Sequence, residues 1–229
     1  MAPHFRDYTV GGPEGDLAVK KGLASGQWFL PQVDRATLKR LMQRDNYHAL
    51  RDTAILFSLI VASGYASFRL WNCGHPFLFA LSFWVYCTLY TSSADSRWHE
   101  CGHGTAFRSK WMNDLLYEVA SFMVFRHPEV WRFSHARHHT DTDIVGRDPE
   151  IDARPLTMKV LAIAMAFNYY AVKAEAEKLL VYARGGLSRS ERTFVPASEI
   201  PAVKRKAQLW LAIYLLVVAA SVYTWSPLP

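Results

Sequence analysis

The sequence predicts an all-α fold: an integral membrane helical bundle with cytoplasmic helices that carry clustered histidines. Three observations predict it. Of the 229 residues, 51% are hydrophobic, yet the mean hydropathy is -0.02, so long apolar stretches are offset by strongly polar ones. Three runs are free of charge, and each is about long enough to cross a ~30 Å hydrocarbon layer. Basic residues gather at the ends of those runs, as membrane topology requires, rather than in one patch suited to nucleic acid.

In chain order, residues 1–30 carry Gly, Pro and mixed charge without periodicity, and they read as a mobile polar leader with no secretory signal. Residues 31–229 read as one membrane domain. Asp34 is placed to cap a helix in which Leu38, Leu41 and Met42 share a face, opposite Arg35, Lys39, Arg40 and Arg44. The first span is expected at about 53–71, with Arg69 snorkelling its charged end to the interface. A short link, Asn72 to His75, leads to a second span at about 76–94, so the two form a helical hairpin. The polar segment 95–206 follows. Within it, Val160 to Val172 is uncharged but too short to cross, which suits an interfacial or re-entrant helix. Lys173 to Arg184 continue it as a charged amphipathic helix. The third span, 207–226, has Trp210, Tyr223 and Trp225 near its edges, where aromatic side chains favour the bilayer interface.

Orientation follows from the flanking charges. Arg40, Arg44 and Arg51 precede the first span, Arg97, Arg108 and Lys110 follow the second, and Lys204, Arg205 and Lys206 precede the third, whereas the hairpin tip offers only Arg69. The positive-inside rule puts the N-terminus and the middle segment in the cytoplasm and Pro229 across the membrane. The net charge of +6 is read as this topology, and no nucleic-acid partner is expected. Cys73, Cys87 and Cys101 are odd in number and lack C-x-x-C spacing, so neither a disulfide framework nor a zinc knuckle is indicated.

Five of the nine histidines fall in two clusters inside the polar segment. His99 and His103 lie four apart; His135, His138 and His139 lie three and four apart. On helices these spacings set each cluster on one face, as convergent metal ligation requires. Neutral imidazole suits several transition metals, so ligand type does not name the metal. His4, His48, His75 and His127 read as packed or solvated side chains.

The stretch His99-Glu100-Cys101-Gly102-His103 also fits H-E-x-x-H, the zinc-protease pattern with glutamate as general base. Its extended form fails at Ala106 and Ser109. Glu118 or Glu129 could serve as a third zinc ligand, but this reading leaves the second cluster without a task. Five histidines are too many for one zinc and too few to hold two metals by imidazole alone. The carboxylate-rich di-iron bundles do not apply, because only Glu100-x-x-His103 has their pairing.

Trp98 to Phe107 (WHECGHGTAF) and Phe133 to Asp143 (FSHARHHTDTD) resemble the first two histidine boxes of membrane fatty acid desaturases and related hydroxylases. The resemblance covers about residues 30 to 229 and includes the order of hairpin, boxes, cytoplasmic helices and next span. It implies a centre of two non-haem iron ions that uses molecular oxygen and two supplied electrons to attack an unactivated C–H bond. The iron ligands it implies are His99, His103, His135, His138 and His139. The substrate would be a membrane lipid or fatty acyl chain, and electrons would come from an external carrier, ferredoxin- or cytochrome-type, with its reductase. Asp95, Asp141, Asp143 and Glu100 are candidates for orienting the ligand rings, with helix capping or salt bridging as the plain alternative. A fatty acyl hydroxylase and a membrane zinc metalloprotease are the alternative activities.

The sequence departs from the family in one respect. Desaturases carry a third box after a further span, and no histidine follows His139. A C-terminally truncated member is therefore expected, one that does not assemble a competent two-iron site alone.

Overall fold

The structure, a computed structural model, describes residues 7–25, 32–151 and 169–224, apart from the side chains of residues 25, 94–95 and 169–171. Among the described residues every regular element is helical, as the composition and apolar runs predict. Three stretches, Arg35–Asn72, Pro76–Gly102 and Ala197–Thr224, are long and apolar enough to cross a membrane, each containing an 18-residue window of mean hydropathy 1.5, 1.3 and 1.7 respectively. The chain packs as two units. One holds residues 7–25 and His127–Leu216, the other Gln32–Arg126 and residues 217–224.

In the second of these units, Asp34 caps α2 (Arg35–Leu41), its carboxylate accepting from the backbone N–H of Ala36 at 3.1 Å and of Thr37 at 2.9 Å. Those bonds satisfy donors that the first helical turn leaves orphaned. Helix α3 (Asn46–Asn72) is capped by Asp45, which accepts from Tyr47 N–H at 2.9 Å. It starts well before the uncharged run at 53, because a cap ends a helix whereas a bilayer boundary does not. Residues Cys73 to His75 turn the chain into α4 (Pro76–Ser93).

The hairpin is closed by small residues. Ser67 and Ser82 hydroxyls meet at 2.6 Å, and a Cβ at Gly64 would lie 3.1 Å from the Tyr86 ring. Small side chains let apolar helices approach where lipid removes the hydrophobic drive between them. The outer faces stay bare: Phe77 is 89% and Trp84 66% exposed, which is what a lipid-facing surface requires. Helix α5 (Lys110–Met123) completes this unit.

The other unit contains α1 (Pro13–Lys20), α6 (Pro128–Asp141), α7 (Tyr169–Ala183) and the first part of α8 (Ile200–Thr224). The charged helix expected over Lys173 to Arg184 is most of α7. The interfacial helix expected at Val160 to Val172 lies almost wholly outside the described residues, as do positions 225–226 of the third span.

His127 sits at the centre of this unit, 1% exposed. Its Nε2–H donates to the Val203 carbonyl at 3.0 Å, and its ring lies edge-on to Tyr182, with centroids 5.4 Å apart. Burial lowers its pKa. The Tyr182 hydroxyl donates to Glu191, whose other oxygen accepts from Ser188 N–H at 2.7 Å. Burial and that carboxylate push the Tyr182 pKa up.

Part of the segment read as a leader is structured. Gly11 N–H donates to the Gly146 carbonyl at 3.0 Å, Val10 and Ala18 are buried, and a Cβ on Gly15 would lie 2.5 Å from the Gly146 oxygen. A backbone-to-backbone contact between glycines carries no apolar periodicity, so the sequence pattern gives no sign of it.

Candidate functional site

The first histidine cluster stands on an extension of α4. Past Ser93 the chain makes a π-helical turn, Ala94–His99, and then a short α-helical piece, Glu100–Gly102. A π turn fits an extra residue into the helix and re-aims the side chains after it, which is why such turns recur at functional sites. His99 and His103 come together with ring centroids 4.9 Å apart and planes at 65°. His99 is half-buried and His103 exposed.

The loop after His103 is held at its backbone. The buried Asn113 side chain accepts from Phe107 N–H at 3.0 Å and donates to the carbonyls of Phe107 at 2.8 Å and Ser109 at 3.2 Å. Asn46 clasps Ser109 through its N–H at 3.0 Å and its hydroxyl at 2.7 Å. Arg44 donates to the Gly104 carbonyl at 2.6 Å. Beneath the turn, Tyr117 stacks on Trp98 with centroids 6.0 Å apart; a Cβ at Gly102 would lie 3.0 Å from the Tyr117 ring. Glu100 is more than half exposed and faces Arg97 at 3.9 Å. The side chain of Asp95 lies outside the described residues.

The second cluster rides on α6, with Pro128 at its first turn, where a missing N–H costs nothing. His135 is buried, His138 half-buried and His139 exposed. The His135 and His138 rings are nearly parallel at 5.8 Å, and His139 is edge-on to His135 at 4.6 Å. His135 Nδ1–H donates to Glu150 at 2.8 Å. His138 Nδ1–H donates to both Asp148 oxygens, at 3.0 and 2.9 Å. Nε2 of His139 and Nε2 of His135 are 3.1 Å apart.

Asp141, 1% exposed, is bound by Arg137 and by Arg147 Nη2 at 3.0 Å. It ties α6 to the next loop and serves as a salt-bridge anchor, the plain alternative to ring orientation. Asp143 is exposed and has a left-handed backbone, φ 60°. Among the described residues, Asp148 and Glu150 are carboxylates that engage histidines of this cluster, and sequence reasoning missed them. They lie ten and fifteen residues from their partners, across a turn, where helical periodicity carries no information. The only signal was the turn-forming Gly146 followed by Asp148-Pro149-Glu150. Glu129, a possible third ligand in the protease reading, is paired with Lys206 at 2.5 Å.

Described residues that are helical in every regular element, three membrane-length apolar helices and two histidine clusters together narrow the chain to a class of helical membrane proteins with candidate metal ligands. Residues 76–229 match the family model described as fatty acid desaturase, and this chain belongs to that family. An sn-1 acyl-lipid omega-3 desaturase (ferredoxin) from Nostoc sp. (strain 36) is 25% identical over 122 residues, covering 52% of this chain and 33% of its own length. A Delta(12) acyl-lipid conjugase (11E,13E-forming) from Momordica charantia is 24% identical over 160 residues, covering 63% of this chain and 39% of its own length. The matched region thus spans between about a third and two fifths of the length of these curated relatives. No solved structure matches.

Proposed function

We propose that this chain carries the histidine-box part of an oxygen-dependent fatty acyl desaturase, which introduces a C=C bond into the acyl chain of a membrane lipid or thioester. The observation that carries this reading is that the family match contains both histidine clusters and the helices flanking them. In this reading His99, His103, His135, His138 and His139 supply part of the ligand set of a centre of two non-haem iron ions. The donor chemistry fits: imidazoles suit iron, and the contacts to Glu150 and Asp148 leave Nε2 of two rings as the lone-pair nitrogen. Iron held there supplies the oxidising power, drawn from molecular oxygen and two delivered electrons, that breaks an unactivated C–H bond.

The chain's own residues orient the site and keep it beside an apolar medium. Helix α4 leads out of its uncharged run directly into the turn bearing His99, which supports a first cluster close to the membrane surface. The basic residues around the spans support placing both clusters on the cytoplasmic side. An external ferredoxin- or cytochrome-type carrier with its reductase would reach them there.

The test is iron retention. The purified chain, loaded with Fe(II) under anaerobic conditions in detergent, is expected to keep iron after desalting and to lose it with either His99→Ala or His138→Ala. Peptide hydrolysis by the zinc-loaded chain that disappears in Glu100→Gln would overturn the reading in favour of a protease.

A further inference from the structure

We propose that Asp148 and Glu150 are positioning residues that lock His138 and His135 in the Nδ1–H tautomer, so that both rings present Nε2 to the metal. The metal half of this inference rests on the reading of the site given above. A carboxylate oxygen only accepts, so its 2.8–3.0 Å contacts to Nδ1 place the hydrogen on that nitrogen. In a neutral imidazole the other nitrogen then carries the lone pair. The Nε2 atoms of His135 and His139 lie 3.1 Å apart, a contact compatible with an unprotonated Nε2 on His135.

Asp148 is suited to the task by how firmly it is held. It is 0% exposed, and besides His138 it accepts from the backbone N–H of Asp143 and of Glu150, each at 2.9 Å. One carboxylate therefore closes the loop that carries it and orients the ring that faces it. Through the second of these bonds it also fixes the backbone of Glu150, so the two rings are set by a single unit.

That unit is buttressed from the N-terminal segment. The loop reverses through left-handed residues, Asp143 and Gly146, with φ of 60° and 76°. At Gly146 the backbone of α1 lies so close that a Cβ there would be 2.4 Å from Gly15 N. Only glycine meets both demands, positive φ and backbone contact. The contact of α1 with this turn thereby helps to set the position of Asp148.

Two measurements on the purified full chain in detergent test the inference. In the metal-free protein, ¹⁵N NMR of labelled histidines, assigned with His135→Ala and His138→Ala, is expected to show Nδ1–H for both rings. Nε2–H at either one would overturn the inference. Independently, Co(II) titration of Asp148→Asn and Glu150→Gln, each checked for native helicity, is expected to show binding weakened by roughly 10–100-fold, the usual effect of losing a partner to a metal-bound histidine. Wild-type affinity in both variants would overturn it. A wild-type chain that takes up no cobalt would count against the metal-centre reading instead, and the NMR measurement would still decide the tautomers.

Discussion

The two histidine segments carry the same side chain at helical spacing, but the contacts described around them differ. Around His99 and His103 the visible support within their own unit acts on the backbone: a π-helical turn, the Asn113 and Asn46 clasps on the following loop, and Tyr117 beneath Gly102. Around His135 and His138 it acts on the rings, through Asp148 and Glu150. A cluster that continues a membrane helix inherits its position from that helix and needs its exit loop fixed. A cluster on a polar helix draws its order from a carboxylate loop.

Substitutions should separate the two kinds of support. The largest effect is expected from Asn113→Leu, which keeps the volume but orphans the buried N–H and carbonyl of Phe107. At about 1–3 kcal/mol for each unsatisfied group, the loss is about 4 kcal/mol in unfolding free energy, measured by denaturant titration, with disorder confined to the first cluster. Gly146→Ala should come next, at about 2–3 kcal/mol, because it adds positive-φ strain and a backbone clash. Its mark should be on the second cluster, visible as shifted His138 resonances.

Tyr182→Phe should cost about 1–2 kcal/mol, since it removes the hydroxyl donor from buried Glu191. His127 supplies a pH signature in the same unit. Its folded pKa is depressed by burial below the ordinary 6.5. Above that value both folded and unfolded states are neutral and stability does not depend on this group. As pH falls through 6.5, the unfolded state binds a proton that the folded state refuses, so stability drops. Thermal unfolding between pH 7.5 and 5 should show this decline, and His127→Gln should flatten it. The smallest effect is Asp34→Ala, a slight loss of helicity by circular dichroism confined to α2.

Much of the fold was legible because its determinants are local. Asp34 as a cap, the turn at Cys73 to His75 and the three apolar runs are each set by neighbours in sequence. The histidine clusters were legible for the same reason, since spacings of three and four report helical adjacency directly. Asp148 and Glu150 were not, because a loop reversed by left-handed residues brings them back, whereas Asp141, nearer in sequence, is bound by Arg137 and Arg147. The π turn before His99 and the Gly15–Gly146 contact were hidden too. Both depend on backbone geometry that no side-chain pattern encodes.

The central claim is that the two clusters serve one metal centre despite their different support. Co(II) binding monitored by absorption spectroscopy tests it most directly, comparing the wild-type chain with His99→Ala/His103→Ala and with His135→Ala/His138→Ala. The account predicts that either double variant abolishes the wild-type spectrum. If removing one cluster leaves the spectrum and affinity of the other intact, the clusters are independent and the claim is contradicted.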